Sequence, residues 1–304
     1  VIREHIVAAG GRTGRSRWPS LFALTSGSNL GHGTGREVIR HYTHLAERMV
    51  GIARNADVSF SALMDLFNKS TTGAAPKEEL VAEAVALGAR RLEDPNRGPT
   101  VVRTLSGSSF ERSQWILRRS RPEVGFASAE VTLPWLATAI AGINQAGVAV
   151  AIAPRSASYG GGVNAGAVNH RNAPHAILLV QECLQRFEDL DGCLDWCRKR
   201  PCSGNASLIV ADAAGRIARI EVEGVDCTVT DLDADLTLDG APPEVDEELR
   251  SHFRDHRQIN LAALSAIGEE HDQLSVWLEP ARRSLSIRPV GDAASEGKAI
   301  EIAV

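Results

Sequence analysis

The sequence predicts an α+β fold. Two observations carry this: strand-like segments cluster around Pro99–Leu105, Val148–Ala153 and Ser207–Thr230, and helical periods cluster outside them. Such blocks of strands and helices differ from the regular alternation of a doubly wound parallel sheet. The chain has 304 residues, of which 43% are hydrophobic, enough to bury a large core.

Residues 1 to 35 are rich in Gly, Ser, Thr and Arg and are expected to form a flexible arm. Residues 36–304 are expected to form one domain. From Arg36 to Arg54 the apolar positions Val38, Ile39, Tyr42, Leu45, Met49 and Ile52 recur at helical spacing. A second helix begins after Asp57, with Ser59 as its N-cap. Lys77–Leu92 is ambiguous, although its Ala, Leu and Glu favour helix. Pro95 to Gly98 reads as a turn, followed by a strand over Pro99–Leu105. Ala173–Phe187 and Leu190–Lys199 read as helices. Three antiparallel strands come next, at Ser207–Ala211, Arg216–Val222 and Cys227–Thr230. Val245–Phe253 and Leu261–Ile267 are helical, and Leu274–Leu278 with Ser284–Ile287 form a last hairpin.

Charge excludes some partners. The net charge of −5 and the scattered arginines give no polyanion-binding surface, so nucleic acid is not expected. Leu133–Pro154 is interrupted by Asn144, Gln145 and two glycines, so no membrane span is expected. The first residues lack the apolar run of a signal peptide. The cysteines are odd in number and crowd into the stretch from Cys183 to Cys227, which fits a reduced, cytoplasmic setting. Cys193, Cys197 and Cys202 lack the spacing of a zinc knuckle and are read as buried thiols. The pairs His41 with His44 and His252 with His256 lack a third ligand at useful spacing. No metal or cofactor is expected, and neither glycine-rich stretch near the N-terminus carries a phosphate-loop lysine.

The segments Arg118–Glu123, Val131–Leu136, Ala141–Val150, Ala173–His175, Leu178–Leu184 and Ser207–Ala213 together resemble the penicillin acyltransferase (isopenicillin N acyltransferase-like) family of N-terminal-nucleophile hydrolases. Gly51 to Val58 resembles the helical pro-segment of that family, so residues 36–92 are expected to be pro-segment-like. The resemblance implies a four-layer αββα sandwich and chemistry at an amide bond, and it places the nucleophile strand near Lys77–Leu92. It also implies a cysteine, freed by self-cleavage, as nucleophile. Here the first cysteine is Cys183. Either Ala82 or Ala89 occupies the nucleophile position, and neither can attack a carbonyl. Two further departures accompany this one. Ser106 follows Arg103-Thr104-Leu105 where the family has a supporting aspartate, and Asp239 lies where it has an oxyanion-hole asparagine. A carboxylate there repels an oxyanion. Several departures together indicate natural divergence rather than one engineered change.

The remaining polar groups near the implied site are the candidates. His170 and His175 flank a helix start and are candidate bases, or else cap that helix. Glu130 is a site acid or half of a buried pair with Arg118 or Arg119. Ser106 completes the catalytic candidates. Arg103 can hold a substrate carboxylate, Asn205 and Ser207 can donate to an oxyanion, and Trp135 is a ligand platform or core. Ser70, Thr71 and Thr72 can form a cleavage point or a turn. Two functions are compatible with these residues. One is a divergent enzyme acting at an amide or acyl group of a small molecule without a cysteine nucleophile. The other is a catalytically silent homologue binding a ligand or protein partner. Self-association into a homo-oligomer is open.

Overall fold

The computed structural model describes residues 2–9, 30–72, 85–90, 98–105, 115–154, 173–241, 243–256, 274–289 and 300–304. The strands are β1 (Ile2–Ala9), β2 (Ala86–Arg90), β3 (Pro99–Leu105), β4 (Ile116–Pro122), β5 (Ser128–Thr132), β6 (Ala141–Asn144) and β7 (Ala149–Pro154). They continue with β8 (Gly204–Ala211), β9 (Ile217–Gly224), β10 (Asp226–Thr230), β11 (Leu236–Asp239), β12 (Leu274–Glu279), β13 (Ser284–Pro289) and β14 (Ile300–Ala303). The helices are α1 (Leu30–His41), α2 (Thr43–Asn55), α3 (Phe60–Thr72), α4 (Leu178–Arg186), α5 (Leu190–Lys199) and α6 (Pro243–His256).

Two antiparallel sheets form the centre. One has eight strands in the order β1-β4-β5-β6-β7-β8-β9-β10, and the other has six in the order β11-β2-β3-β12-β13-β14. Strand alternation sorts the side chains into layers. At β2, Val85, Leu87 and Ala89 join Leu238, Val245, Leu249, Phe253 and Trp277 in a cluster under α6. Ala86 faces the other way, into the main core with Val101 and Leu105 of β3. Helices α2 and α4 meet the outer face of the larger sheet: Arg48 of α2 donates to Ser120 of β4, and Gln181 of α4 donates to Glu130 of β5. The layers are therefore helices, eight strands, six strands, helix. This is the expected αββα arrangement.

Glycine sets the spacing of the sheets. A Cβ on Gly88 would lie 2.9 Å from Ile209 Cγ2 and 3.1 Å from Ile217 Cγ2 of the opposing sheet. Only a residue without one lets the strands approach this closely. Asn144 fixes the tight turn after β6. Its Oδ1 accepts from the backbone of Ala146, Gly147 and Val148, and its Nδ2 donates to the carbonyls of Leu184 and Phe187 at the end of α4.

The strand and helix assignments at Pro99–Leu105 and Leu190–Lys199 agree with the sequence reading. Ser59 caps α3 as expected, accepting from Ala62 N at 3.1 Å. Three expectations change, and one open reading resolves. Residues 2–9 of the expected arm form β1, paired with β4 across a bulge at Ile6 and Ala8. The single helix expected from Arg36 to Arg54 is two, because Tyr42 leaves helical geometry (φ −134°, ψ 52°) to bury its ring and donate to Pro201 O. The described part of the ambiguous segment, Ala86–Arg90, is strand. The helix expected from Ala173 starts at Leu178, after a bridge between His175 and Ser203. Leu261–Ile267 and the side chains of Ser70, Thr71 and Thr72 lie outside what is described.

Candidate functional site

The implied site lies between the sheets. In the register of the smaller sheet, Asp239 of β11 pairs with Ala86 of β2, and Ala86 pairs with Arg103 of β3. Directly paired residues share a face, so these three side chains form one transverse row. The row faces the larger sheet. Arg103 Nε donates to Ile152 O of β7 at 2.6 Å, and Asp239 Oδ2 accepts from Ser207 Oγ of β8 at 2.5 Å. Ala86 thus presents a methyl group between a guanidinium and a carboxylate.

Arg103 is 1% exposed. Its Nη1 also donates to Thr104 O at 3.0 Å, and no carboxylate among the described residues pairs with it. Burial lowers its pKa to about 9, so it remains a cation at neutral pH. At the other end of the row Asp239 is well supplied with donors. Besides Ser207 it accepts from Gly240 N at 2.7 Å, and Arg219 Nη1 stands 3.6 Å away. Arg219 also meets Glu221 at 2.9 Å and Asp231 at 3.2 Å, which fixes the loop between β10 and β11 beside the row.

The register bears on the two nucleophile candidates. Ala89 pairs with Thr100 toward the far end of the hairpin and faces α6, away from Arg103 and the other sheet. It cannot occupy an inter-sheet nucleophile position. Ala82 lies outside the described residues, as do Ser106 and His170.

Glu130, His175 and Trp135 do not converge with Arg103. Glu130 lies on the helix-facing side of the larger sheet. Its Oε2 accepts from Arg118 Nε at 2.9 Å and Nη2 at 2.6 Å, and its Oε1 accepts from Ser128 Oγ at 2.5 Å and Gln181 Nε2 at 2.7 Å. Arg48 Nη2 stands 3.5 Å from Oε2. Burial pushes the Glu130 pKa up, but Arg118, Arg48, Ser128 and Gln181 outweigh it and hold the group at about 2. Glu130 is therefore an ionised structural anion at neutral pH, held away from Arg103. Of its two sequence readings the structure draws the buried pair, with Arg118 and not Arg119. Arg48 and Gln181 were not legible as its partners, because they lie 82 and 51 positions away by number, on helices that only tertiary packing brings to β5.

His175 takes the capping role. Its Nδ1 accepts from Ile177 N at 3.1 Å, ahead of α4. This satisfies one of the amides that a helix start leaves open. Its ring also covers Gly204, whose φ of +142° and close approach to the imidazole (3.3 Å to an added Cβ) suit glycine alone. Trp135 is 2% exposed and belongs to the core. Asn205 is exposed on β8, two residues before Ser207 and so on the same inter-sheet face. Arg103, Asn205 and Ser207 are the sequence candidates that share this side.

The thiols lie elsewhere. Cys183, Cys193, Cys197 and Cys202 are buried, with Cys183 Sγ 3.7 Å from Cys197 Sγ. Hydrogen bonds with Cys193, Cys183 and Cys227 respectively, and burial after them, raise the pKa values of Cys183, Cys197 and Cys202. Burial raises that of Cys193. All four therefore stay protonated. Among the described residues no group of three His, Cys, Asp or Glu side chains is placed to hold a metal ion, and no helix is long and apolar enough to cross a membrane. His44 meets Glu182 at 2.7 Å instead of sharing a ligand set with His41.

No protein-family model matches the chain, and no curated protein matches it. Among solved structures, penicillin V acylase from Agrobacterium tumefaciens is 10% identical, over 73% of this chain and 86% of that one, with a TM-score of 0.45. A mutant of conjugated bile acid hydrolase from Clostridium perfringens is 8% identical over 73% and 92% of the two chains, with a TM-score of 0.46. The Caenorhabditis elegans ortholog of N-acylethanolamine-hydrolyzing acid amidase is 10% identical over 72% and 99%, with a TM-score of 0.48. These are distant likenesses of overall arrangement.

Proposed function

We propose that this chain is a divergent, amide-hydrolase-like protein that binds a small molecule bearing an amide or acyl group at the mouth of the inter-sheet space, without forming a thioester. The observation that carries this reading is the row Asp239–Ala86–Arg103. A buried guanidinium and a hydroxyl-bonded carboxylate flank a methyl group, and a methyl group has no lone pair with which to attack. The described thiols are remote from the row, and the buried ones are protonated. Binding stands ahead of hydrolysis, because Glu130 is locked in an ion cluster and His175 caps a helix, so neither stands beside Arg103 as acid or base. One contact favours a second, hydrolytic reading: Ser207 Oγ donates to Asp239 at 2.5 Å, a hydroxyl with a proton acceptor in place.

Phenylacetylglycine, which carries an aryl acyl group, an amide and a carboxylate, tests both. Calorimetric titration should show saturable binding, and Arg103→Lys should weaken it about tenfold, or about 1.4 kcal/mol, with the fold retained by circular dichroism. Intact-mass measurement should show one polypeptide with no acyl adduct, and the ligand should be recovered uncleaved. Cleavage of the ligand, abolished by Ser207→Ala, would establish the hydrolytic reading. A fragment beginning near residue 71, 82 or 89 would establish self-activation. Absence of binding, or equal binding by Arg103→Lys, would remove the assignment of this site.

A further inference from the structure

A groove of about 1190 Å³ runs between α2, the β4–β5 turn and the C-terminal end of α4, on the helix side of the larger sheet. It is on the opposite face of that sheet from the Asp239–Ala86–Arg103 row, and its chemistry is independent of any ligand at that row. Ile52, Pro122, Val124, Pro134 and Phe187 supply apolar walls. Val124 is 90% exposed at the rim of the groove.

The polar lining has a definite imbalance. Its arginine side chains are engaged: Arg186 meets Glu182 at 2.8 Å, and Arg48 Nη2 meets Glu130 and Ser120; the His44 imidazole lies 2.7 Å from Glu182. Two neutral N–H donors are not. Gln185, 5% exposed, has no hydrogen-bond partner at Nε2, and Trp196 has none at Nε1. A buried donor left without an acceptor costs free energy, and both of these residues line the groove. Glu47 and Glu123 stand at the groove as well, so it carries no surplus positive charge. The lining thus lacks an oxygen acceptor rather than a counter-ion. Gly51 of α2 leaves the space open: a Cβ built there meets nothing within 4 Å.

We propose that this groove is a binding site for an acyl compound. Its apolar chain lies along Ile52, Val124 and Phe187, and its carbonyl or carboxylate oxygen accepts hydrogen bonds from Gln185 and Trp196. A ligand head that can only donate, such as an ammonium, offers nothing to these two groups.

The experiment uses the full chain, ¹⁵N-labelled, titrated with octanamide, octanoate and octylammonium. The Trp196 indole resonance is assigned by its loss in Trp196→Phe. Octanamide or octanoate should move that resonance downfield in a saturable manner, and the tighter binder of the two identifies a neutral or an anionic head. Octylammonium should leave it in place. Gly51→Leu projects a side chain into the groove and replaces a helix-interior glycine, so it should weaken binding at least tenfold with stability kept or raised. Gln185→Met should weaken binding several-fold without loss of stability, since it removes a donor that has no acceptor. Trp196 lines this groove and not the inter-sheet row, so a shift of its resonance that Gly51→Leu abolishes belongs to this site. Equal binding of octylammonium, full affinity in Gly51→Leu, or no saturable shift with any of the three compounds would overturn the proposal.

Discussion

Replacing Glu130 by glutamine should be among the most costly single changes in the fold. The carboxylate is fully buried and accepts four hydrogen bonds, two of them from Arg118, with Arg48 at 3.5 Å. Its pKa is held at about 2 against an ordinary 4.5, a gap worth about 3 kcal/mol at roughly 1.4 kcal/mol for each tenfold change in proton affinity. Because the folded carboxyl titrates below its unfolded value, the stabilisation is complete above pH 4.5 and is lost as pH falls toward about 2. In Glu130→Gln the charge is absent at every pH, and Arg118 and Arg48 are left buried without it. Removing one partner of a buried pair typically costs about 3–5 kcal/mol. Urea denaturation of wild type and variant, repeated from pH 7 to pH 2, measures both effects. The two should differ by about 3 kcal/mol or more at pH 7 and converge as the acid limit is approached. Combining Glu130→Met with Arg118→Met should cost less than the sum of the single changes, because the second removes the charge that the first strands. A loss below about 1 kcal/mol at pH 7, or stability curves that run parallel between pH 4.5 and 2, would refute the assignment of Glu130 as a structural anion.

Thiol chemistry should separate one cysteine from the rest. Cys227, half-buried on β10, has its pKa lowered by a hydrogen bond from Cys202, with burial opposing and Arg198 adding to the effect. Under native conditions iodoacetamide should modify Cys227 first and leave Cys183, Cys193 and Cys197 intact, as peptide mass mapping would reveal. Binding of phenylacetylglycine should survive that modification, and its loss in proportion to labelling would contradict a site independent of thiols. Gly88→Ala should destabilise by about 1–3 kcal/mol through overpacking, since its Cβ meets Ile209 and Ile217 at 2.9 and 3.1 Å. The companion change Ile209→Ala, which removes the crowded Cγ2, should cost less in the Gly88→Ala background than alone in thermal melts, and a neutral Gly88→Ala would mean that the sheets can separate freely there.

The sequence by itself determined most of the local structure. Pro99–Leu105 is a run of β-branched and apolar residues entered by a proline, and it forms β3 over those residues. Leu190–Lys199 has a helical period behind Asp189, which accepts from Gly192 N, and it forms α5. The order of strand runs and helix runs also carried the α+β class. These features depend on backbone propensities and on contacts within a few residues, which a sequence states directly. What it did not state is which face of a strand meets which layer. Arg103 and Glu130 were expected to converge, yet they lie on opposite sides of the eight-stranded sheet. Period-two alternation separates the faces of a strand but does not say which of two apolar layers covers each one. The same limit applies to residues 2–9, whose pairing to β4 joins segments more than a hundred residues apart in number. It applies to Tyr42, which breaks a helical period to reach Pro201, and to the groove, whose walls come from α2, the β4–β5 turn and the region from α4 to α5. In each case the deciding contact is long-range. The free energy of burying a side chain or satisfying a donor depends on the partner that tertiary packing brings to it, and that partner is not written beside it in the chain.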